Sequence, residues 1–215
     1  MRSETLALFP PGVAGAELVR LEDAGPLLEA ERASIAGAGA PRVLEFAAGR
    51  HCAREALVAL GEAPVAVPRG AHRQPAWPPG IVGSISHASG YCGAVVARAS
   101  TCLGLGFDVE EWGRMRPELW RRIATPPEIE WLRTLEGLGE RWATLLFSAK
   151  EAFYKAQYPR SATFLGFQAA AFHATGPGRF EIELLRDVVA VGPAGSRFAG
   201  RYAADAERCY TGICL

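Results

Sequence analysis

Two carboxylates stand two positions apart near the end of a strand-like segment, LGLGFDVE. Over residues 101–110 the alternation predicts a strand whose apolar face carries Leu103, Leu105, Phe107 and Val109. Asp108 and Glu110 fall on the other face beside two glycines, which are expected to leave that face open to a ligand. Neighbouring carboxylates repel one another, and a hard divalent cation removes the repulsion. Asp108 and Glu110 are therefore candidate metal ligands, with a solvated strand end as the alternative.

The segment FSAKEAFYKA, residues 147–156, holds both lysines of a chain in which 21 of 23 basic residues are arginine. Clustered lysines suggest a task that needs a compact ammonium, although chance is an alternative. Glu151 and Lys155 stand four apart and share one face of a predicted helix. Such a pair is often a surface ion pair, but the apolar neighbours indicate a mostly buried helix whose charges face a site.

Basic and polar residues elsewhere in the chain could bind an anion. Arg50 and Arg54 stand four apart in a helical segment and are expected to converge on one anion. Ser86 and His87 end a predicted strand at a turn, where a hydroxyl, an imidazole and backbone N–H groups suit a phosphate. A structural turn histidine is the alternative for His87.

Together these residues predict an anion site next to a cation site, as a pyrophosphate substrate with Mg²⁺ requires. The predicted anion ligands are Arg50, Arg54, Ser86, His87, Lys150 and Lys155, and the predicted cation ligands are Asp108, Glu110 and Glu151. The residues alone indicate a magnesium-dependent enzyme acting on a phosphorylated cofactor. A phosphohydrolase or nucleotidyl transferase and a non-catalytic protein that binds such a cofactor remain alternatives.

The composition restricts the partners and the environment of the chain. Its formal net charge is zero, which disfavours a nucleic-acid partner held by bulk electrostatics. No run approaches the roughly 18 to 20 apolar residues that span a bilayer, so we expect a cytoplasmic protein. The five cysteines show no C-x-x-C pair, and we expect buried free thiols rather than disulfides.

Periodicity predicts an α+β fold with elements in a repeated order. Helices are expected over 26–38, 42–60, 112–142 with a break at Pro126, and 141–157, the last ending before Pro159. A hairpin is expected over 81–97, with further strands at 18–21, 180–185, 188–191, 196–203 and 209–215. A shift of 101 positions aligns Phe46 with Phe147, Arg50 with Glu151 and Arg54 with Lys155. This weak internal repeat predicts two similar subdomains, 1–100 and 101–215.

Four segments in register resemble the 4′-phosphopantetheinyl transferase superfamily, in particular its surfactin-type, enterobactin synthase component D-like branch. The segments are EFAAGRHCAREAL (45–57), QPAWPPGIVGSISHASGY (74–91), LGLGFDVE (103–110) and FSAKEAFYKAQYP (147–159). The resemblance implies a pseudo-two-fold pair of α/β subdomains, with coenzyme A in the cleft between them. It also implies a monomer that moves phosphopantetheine from coenzyme A to a serine of an apo acyl or peptidyl carrier protein. Siderophore, nonribosomal peptide and polyketide biosynthesis are the expected pathways.

The same resemblance assigns roles to residues of this chain. Asp108, Glu110 and Glu151 would hold Mg²⁺, with Mn²⁺ as an alternative, and Glu151 would also take the serine proton. Lys155 would neutralise the departing 3′,5′-ADP. The residues implied as ligands of the phosphates and the adenine end are Arg50, Arg54, Arg73, Ser86 and His87.

A tryptophan-rich stretch between residues 111 and 141 is the predicted docking surface for the carrier protein. Carrier proteins are acidic helical bundles, and this stretch combines tryptophans with the arginines at 114, 116, 121 and 122. We expect about half of the tryptophans to be exposed anchors and the rest to lie in the core.

Overall fold

The computed structural model describes residue 1 and residues 3–215, without the side chains at positions 3 and 4. Its helices are α1 (Ser3–Leu6), α2 (Glu29–Ala33), α3 (Ala40–Ala59), α4 (Trp120–Ile123), α5 (Pro126–Thr134) and α6 (Gly139–Ser161). Its strands are β1 (Val13–Leu18), β2 (Ile81–Ala88), β3 (Tyr91–Arg98), β4 (Leu105–Glu111), β5 (Ala170–Gly176), β6 (Arg179–Leu184), β7 (Arg197–Ala204) and β8 (Arg208–Cys214). The predicted α+β class is confirmed.

Each half of the chain places one long helix on an antiparallel sheet. The sheet of the first half has the order β1-β3-β2 and carries α3, while the sheet of the second half has the order β4-β8-β7-β6-β5 and carries α6. The predicted helix that ends at Gly61 is confirmed as α3, since Gly61 takes a positive φ of 85° and its N–H bonds back to Val58. The predicted hairpin is confirmed as β2 and β3.

The two halves also share apolar packing. One cluster of buried side chains combines residues from both, among them Phe9, Tyr91, Phe107, Val109 and Tyr210. Burying a large apolar side chain of this kind contributes about 1.5–3 kcal/mol. Because this cluster fixes one half against the other, the cleft between them is a preformed feature. The boundary after residue 100 stays a prediction.

β4 has the predicted alternation, but its glycines serve packing rather than a ligand. Leu105, Phe107 and Val109 lie in the shared core, whereas a Cβ added at Gly106 would collide with the carbonyl oxygen of Ala152 on α6. The expectation that this face is open to a ligand is therefore wrong at the glycines. Their small size instead lets α6 lie directly against β4.

Several predicted boundaries differ from the structure. α6 continues through Pro159 to Ser161, and residues 112–142 form short helices and turns rather than long helices. Residues 188–191 contribute an isolated bridge instead of a strand, the predicted strand at 18–21 lies earlier as β1, and β5 was not expected. Three prolines and three glycines interrupt the helical pattern of residues 112–142. The short strands differ because strand formation depends on packing more than on local pattern.

The cysteines differ from the sequence expectation in one pair. Cys102 and Cys214 are paired as a disulfide, while Cys52, Cys92 and Cys209 are buried free thiols. The pair lies 112 positions apart, so spacing along the chain gives no sign of it. The neighbouring strands β4 and β8 bring the two residues together.

No helix in the described part of the chain is both long enough and apolar enough to cross a membrane.

Candidate active site

The site forms where β2 of the first sheet lies beside β4 of the second. Two serines of β2 reach across to β4: Ser84 Oγ donates to the carbonyl oxygen of Phe107 over 3.1 Å, and Ser86 Oγ donates to Asp108 Oδ1 over 2.9 Å. The N–H of Val109 donates back to Ser86 Oγ over 3.3 Å. These bonds join the two sheets where the predicted metal ligands begin.

Lys155 of α6 lies directly over this junction. Its Nζ donates to Asp108 Oδ1 over 2.6 Å, to Ser86 Oγ over 3.0 Å and to the carbonyl oxygen of Phe107 over 3.2 Å. Sequence spacing predicted Glu151 as its partner, but the structure gives the ion pair to Asp108. The ammonium is thus held by three acceptors while its side chain remains 27% exposed.

Three carboxyl groups gather near this lysine. Asp108 is 3% exposed, and its Oδ2 has no hydrogen-bond partner in the described chain. Burial and the charge of Asp108 raise the pKa of Glu110 to about 7, an effect that Arg114, 2.6 Å from Glu110 Oε2, reduces. Burial raises the pKa of Glu151, and the charge of Lys155 opposes that shift. The carboxylate charge here is therefore only partly compensated by side chains.

The donor types suit a hard divalent cation such as Mg²⁺. An unpartnered buried Asp108 oxygen and a desolvated Glu110 beside it are what a cation would stabilise. Within residues 1 and 3–215, no three His, Cys, Asp or Glu side chains form a group that could hold a metal ion. Metal binding by Asp108, Glu110 and Glu151 thus stays a proposal.

A cavity of about 290 Å³ opens between α3, β2 and the C-terminal part of α6. Four of the predicted site residues line it: Arg50, Arg73, His87 and Lys155. Ser86 and Asp108 stand behind Lys155 through its hydrogen bonds. Glu151 instead borders a smaller, mostly apolar cavity of about 110 Å³ beside Phe164 and Gly166.

Arg50 is the buried cation of the larger cavity. It is 5% exposed, its guanidinium lies 4.1 Å from the centre of the Phe46 ring, and its Nε is without a partner among the described residues. Burial lowers the pKa of Arg50 to about 10, with Glu31 opposing that change and Arg69 adding to it. A buried guanidinium with an unused donor suits an anionic ligand.

His87 and Arg42 line the same cavity as Arg50, and the part of the cavity formed by these three residues is called its anion end. The Nε2 of His87 lies 3.2 Å from Arg42 Nη1 and 3.9 Å from Glu45 Oε2. Burial lowers the pKa of His87, and the positive charges of Arg42 and Lys155 act in the same direction, against Glu45. The ring is therefore neutral at pH 7 and can accept a hydrogen bond from Arg42.

Besides Ser86, two predicted anion ligands do not line this cavity. Arg54 donates to Glu31 over 2.6 Å and to the carbonyl oxygen of Pro26 over 3.0 Å, so it does not converge with Arg50. Lys150 is 4% exposed and is bound to Glu128 over 2.7 Å. The expected convergence of Arg54 with Arg50 is therefore wrong, since Arg54 is already neutralised by the buried Glu31. Lys150 is likewise neutralised by the buried Glu128, and its role as an anion ligand stays a prediction.

Sequence reasoning missed several residues of the cavity wall. Arg42 and Arg69 add positive charge, while Trp77, Tyr154 and Tyr158 add aromatic surface. The spacing of Tyr154 and Tyr158, four apart on α6, was a usable signal, and their rings lie 5.3 Å apart. Arg69 lies in an irregular loop, where no periodicity could indicate its direction.

The tryptophans of the predicted docking surface lie against the core. Trp120 is 7% exposed, and Trp112, Trp131 and Trp142 are partly buried and pack on the same apolar cluster. The expectation of exposed tryptophan anchors is therefore wrong. The arginines at 114, 116, 121 and 122 are exposed as expected.

Comparison with known proteins places the whole arrangement in one family. A family model of the 4′-phosphopantetheinyl transferase N-terminal domain matches residues 30–97, and a model of the 4′-phosphopantetheinyl transferase superfamily matches residues 104–207. The chain is 40% identical over 176 residues to 4′-phosphopantetheinyl transferase Npt of Nocardia iowensis, which covers 82% of this chain and 76% of that protein. It is 35% identical over 212 residues to 4′-phosphopantetheinyl transferase PptT of Mycobacterium tuberculosis, which covers 96% of this chain and 88% of that protein. It is also 39% identical over 146 residues to enterobactin synthase component D of Escherichia coli K12, and this match covers 66% of this chain and 68% of that protein.

Proposed function

The chain belongs to the 4′-phosphopantetheinyl transferase superfamily, and we propose that it moves the phosphopantetheine arm of coenzyme A onto a serine hydroxyl of an apo carrier protein. The observation that supports this most strongly is the cavity between the halves. Arginines line one part of it, and Lys155, bound to Asp108, lines another. A ligand with phosphates at two places needs positive charge at both.

Five residues of the cavity wall are proposed to bind coenzyme A through its phosphates: Arg42, Arg50, Arg69, Arg73 and His87. Arg50 has a buried guanidinium with an unused Nε donor among the described residues, and Arg42 already reaches the His87 ring. These five residues lie on α3, on β2 and in the loop between these two elements. We expect them to contribute binding that is equal in the ground state and the transition state.

In the proposed reaction the serine Oγ attacks the phosphorus that carries the pantetheine arm. The new bond joins that oxygen to phosphorus, and the bond from phosphorus to the bridging oxygen breaks. The 3′,5′-ADP leaves with the electron pair, and the serine proton passes to Glu151, directly or through water. Burial raises the pKa of Glu151, and a carboxylate with a raised pKa is a stronger proton acceptor than an exposed one.

Lys155 is proposed to stabilise the charge that develops on the leaving phosphate. Its ammonium is held in place by Asp108, Ser86 and the carbonyl oxygen of Phe107, so its positive charge acts on the leaving phosphate through space from a fixed position. Its remaining exposure is on the cavity side. Asp108 and Ser86 thereby orient the lysine in addition to any contact of their own.

Asp108, Glu110 and Glu151 would hold Mg²⁺, or Mn²⁺ as an alternative. When bound, the cation would supply neutralisation of the pyrophosphate charge. The unpartnered Oδ2 of Asp108 supports this assignment.

The decisive experiment is mass spectrometry of an apo carrier protein incubated with the enzyme, coenzyme A and Mg²⁺. We expect a gain of about 340 Da on the carrier and an equal amount of 3′,5′-ADP. Asp108→Ala should lower the rate by roughly a thousandfold or more while leaving the fold intact. The matched control is Asp187→Ala, an exposed aspartate outside the cleft, which should retain wild-type turnover.

Release of nucleotide from coenzyme A without a carrier would indicate a phosphohydrolase and contradict the transferase proposal. Wild-type turnover by Asp108→Ala at saturating coenzyme A would remove Asp108 from the reaction.

The exposed arginines between residues 114 and 122 are proposed to attract the acidic carrier. Reversing both Arg121→Glu and Arg122→Glu should lower the association rate at low salt by roughly three- to tenfold, because such charges steer encounter. Arg179→Glu, an exposed arginine on β6, is the control. An equal association rate in the double variant, measured by stopped flow, would place the docking surface elsewhere.

We further propose a cytoplasmic monomer whose carriers serve siderophore, nonribosomal peptide or polyketide biosynthesis. The similarity to enterobactin synthase component D supports the first of these pathways. Comparing transfer rates among representative carriers tests the pathway, and sedimentation equilibrium tests the monomer.

A further inference from the structure

A small hairpin in the loop between α3 and β2 delivers side chains into the cavity. The backbones of Arg69 and Pro75 form an isolated antiparallel β-bridge. The N–H of Gly70 donates to the Gln74 carbonyl over 2.7 Å, and the N–H of Ala76 donates to the Pro68 carbonyl over 2.9 Å. Hereafter residues 68–76 are called the loop hairpin. It is short and belongs to neither sheet, so its position must be fixed by other contacts.

Two backbone contacts come from the short helix α2 and the residue that follows it, in addition to the His72 ring against Tyr158 of α6. Glu31 Oε1 accepts the N–H of Val67 over 3.0 Å, just before the loop hairpin, and Ser34 Oγ accepts the N–H of Arg69 over 3.0 Å. Both bonds hold the same base of the loop hairpin. They act on the backbone, so they determine where the Arg69 side chain starts.

Glu31 is itself held rigidly. Its side chain is fully buried, and Oε2 accepts a 2.6 Å bond from Arg54 and a 2.9 Å bond from the N–H of Leu28. Arg54 also binds the Pro26 carbonyl. A buried carboxylate with all these donors cannot move without leaving several of them unpaired.

Two positively charged groups lie near the Phe46 ring and act on each other electrostatically. The guanidinium of Arg69 lies 5.4 Å from the centre of the Phe46 ring, and that of Arg50 lies 4.1 Å from the same centre. Arg69 disfavours the charged form of Arg50, and the negative Glu31 favours it. This repulsion opposes the close approach of the loop to α3, so contacts that hold the loop backbone favour the observed position.

We propose that Glu31, braced by Arg54, and Ser34 are positioning residues that fix the loop hairpin so that Arg69 stands beside Arg50 at the anion end of the cavity. This proposal rests on the proposed function, because it takes coenzyme A as the anion. It assigns Arg54 an indirect part in binding, in place of the direct phosphate contact expected from sequence. Fixing the loop in advance removes an ordering cost from ligand binding.

The test is the affinity of the full chain for coenzyme A, measured by calorimetry, together with kcat and KM of transfer. Ser34→Ala removes the acceptor for Arg69, whereas Ser34→Thr keeps a hydroxyl there. We expect Ser34→Ala and Arg54→Gln each to weaken coenzyme A binding by roughly three- to tenfold, since one or two hydrogen bonds are lost. Ser34→Thr should restore the affinity, and kcat at saturating coenzyme A should stay within about twofold for all three.

Arg98→Ala is the matched control for general loosening of the loop. Arg98 pairs with Glu62 over 2.7 Å at the start of the same loop, away from the loop hairpin. Its loss should leave coenzyme A affinity unchanged.

A double-mutant cycle with Arg69→Ala separates positioning from structural damage. If Ser34 acts through Arg69, Ser34→Ala should have no further effect on affinity in the Arg69→Ala background. An equal loss in both backgrounds, or an unchanged affinity in folded Ser34→Ala, would overturn the proposal. The Ser34 comparison decides even if Arg54→Gln does not fold. Since binding is measured without a carrier, a wild type that binds coenzyme A but transfers nothing would overturn only the proposed function.

Discussion

Lys150 and Lys155 lie five positions apart on α6, and their surroundings differ in what each ammonium can reach. Lys150 donates to Glu128 over 2.7 Å and to the carbonyl oxygens of Ile123 and Phe167 over 3.1 and 3.0 Å. Its side chain is 3% exposed. Lys155 also binds one carboxylate and one carbonyl, but its third partner is the hydroxyl of Ser86, and its side chain is 27% exposed on the cavity.

The difference distinguishes a lysine that neutralises a buried carboxylate from one whose charge also reaches a cavity. Both ammonium groups have three acceptors each, a geometry that a compact ammonium matches better than a wider planar guanidinium. The use of lysine at these two positions, in a chain that otherwise uses arginine, is therefore explained by local geometry at both. Five positions on a helix amount to a rotation of about 140°, so one lysine points into protein and the other into the cleft. Access to the cleft is what gives Lys155 a proposed part in chemistry.

The largest expected effect is the loss of stability in Lys150→Met. Removing one partner of a buried ion pair leaves Glu128 uncompensated, and the free energy of unfolding should fall by about 3–5 kcal/mol. The kcat per folded molecule should change little, since Lys150 lies outside the larger cavity. Urea unfolding followed by tryptophan fluorescence measures the first quantity.

A second variant tests whether the buried charge is the cause. Lys150→Met combined with Glu128→Gln removes both charges and should recover part of the lost stability. A Lys150→Met protein of wild-type stability but without transferase activity would reverse the assignment of the two lysines.

Lys155→Arg should lower kcat while changing the stability little, the converse of Lys150→Met. The guanidinium would displace Ser86 or the Phe107 carbonyl and pair with Asp108 in a different geometry, so we expect kcat to fall roughly ten- to thousandfold, about 1.4–4 kcal/mol. Stability and coenzyme A affinity should change much less. Steady-state kinetics and calorimetry on the same preparation provide the comparison. Unchanged kcat would show that the lysine serves only to support Asp108.

Reductive methylation compares the exposure of the two lysines directly, and its expected effect is the smallest of the three. The chain has two lysines, so peptide mapping separates them without mutation. Lys155 should react under mild conditions and be protected by coenzyme A, whereas Lys150 should react only on unfolding, because it is buried. Equal labelling of both, or no protection of Lys155, would contradict the contrast in exposure.

Much of the local structure could be predicted because it follows from periodicity. α3, the hairpin of β2 and β3, and the placement of Asp108 and Glu110 on one face of β4 all follow from helix or strand spacing. β5 and the short helices after Glu111 could not be predicted in the same way. Their sequences have weak patterns, and their conformations depend on the core they contact.

Of the site, the sequence by itself determined which residue types share a face: Asp108 with Glu110 on β4, and Glu151 with Lys155 on α6. The tertiary structure alone decided which charge meets which. Lys155 pairs with Asp108, Lys150 with Glu128 and Arg54 with Glu31, across separations of 47, 22 and 23 residues. Spacing along one element fixes the direction of a side chain but not the element packed against it. That choice depends on burial, because a charge removed from water takes the nearest carboxylate that the fold supplies.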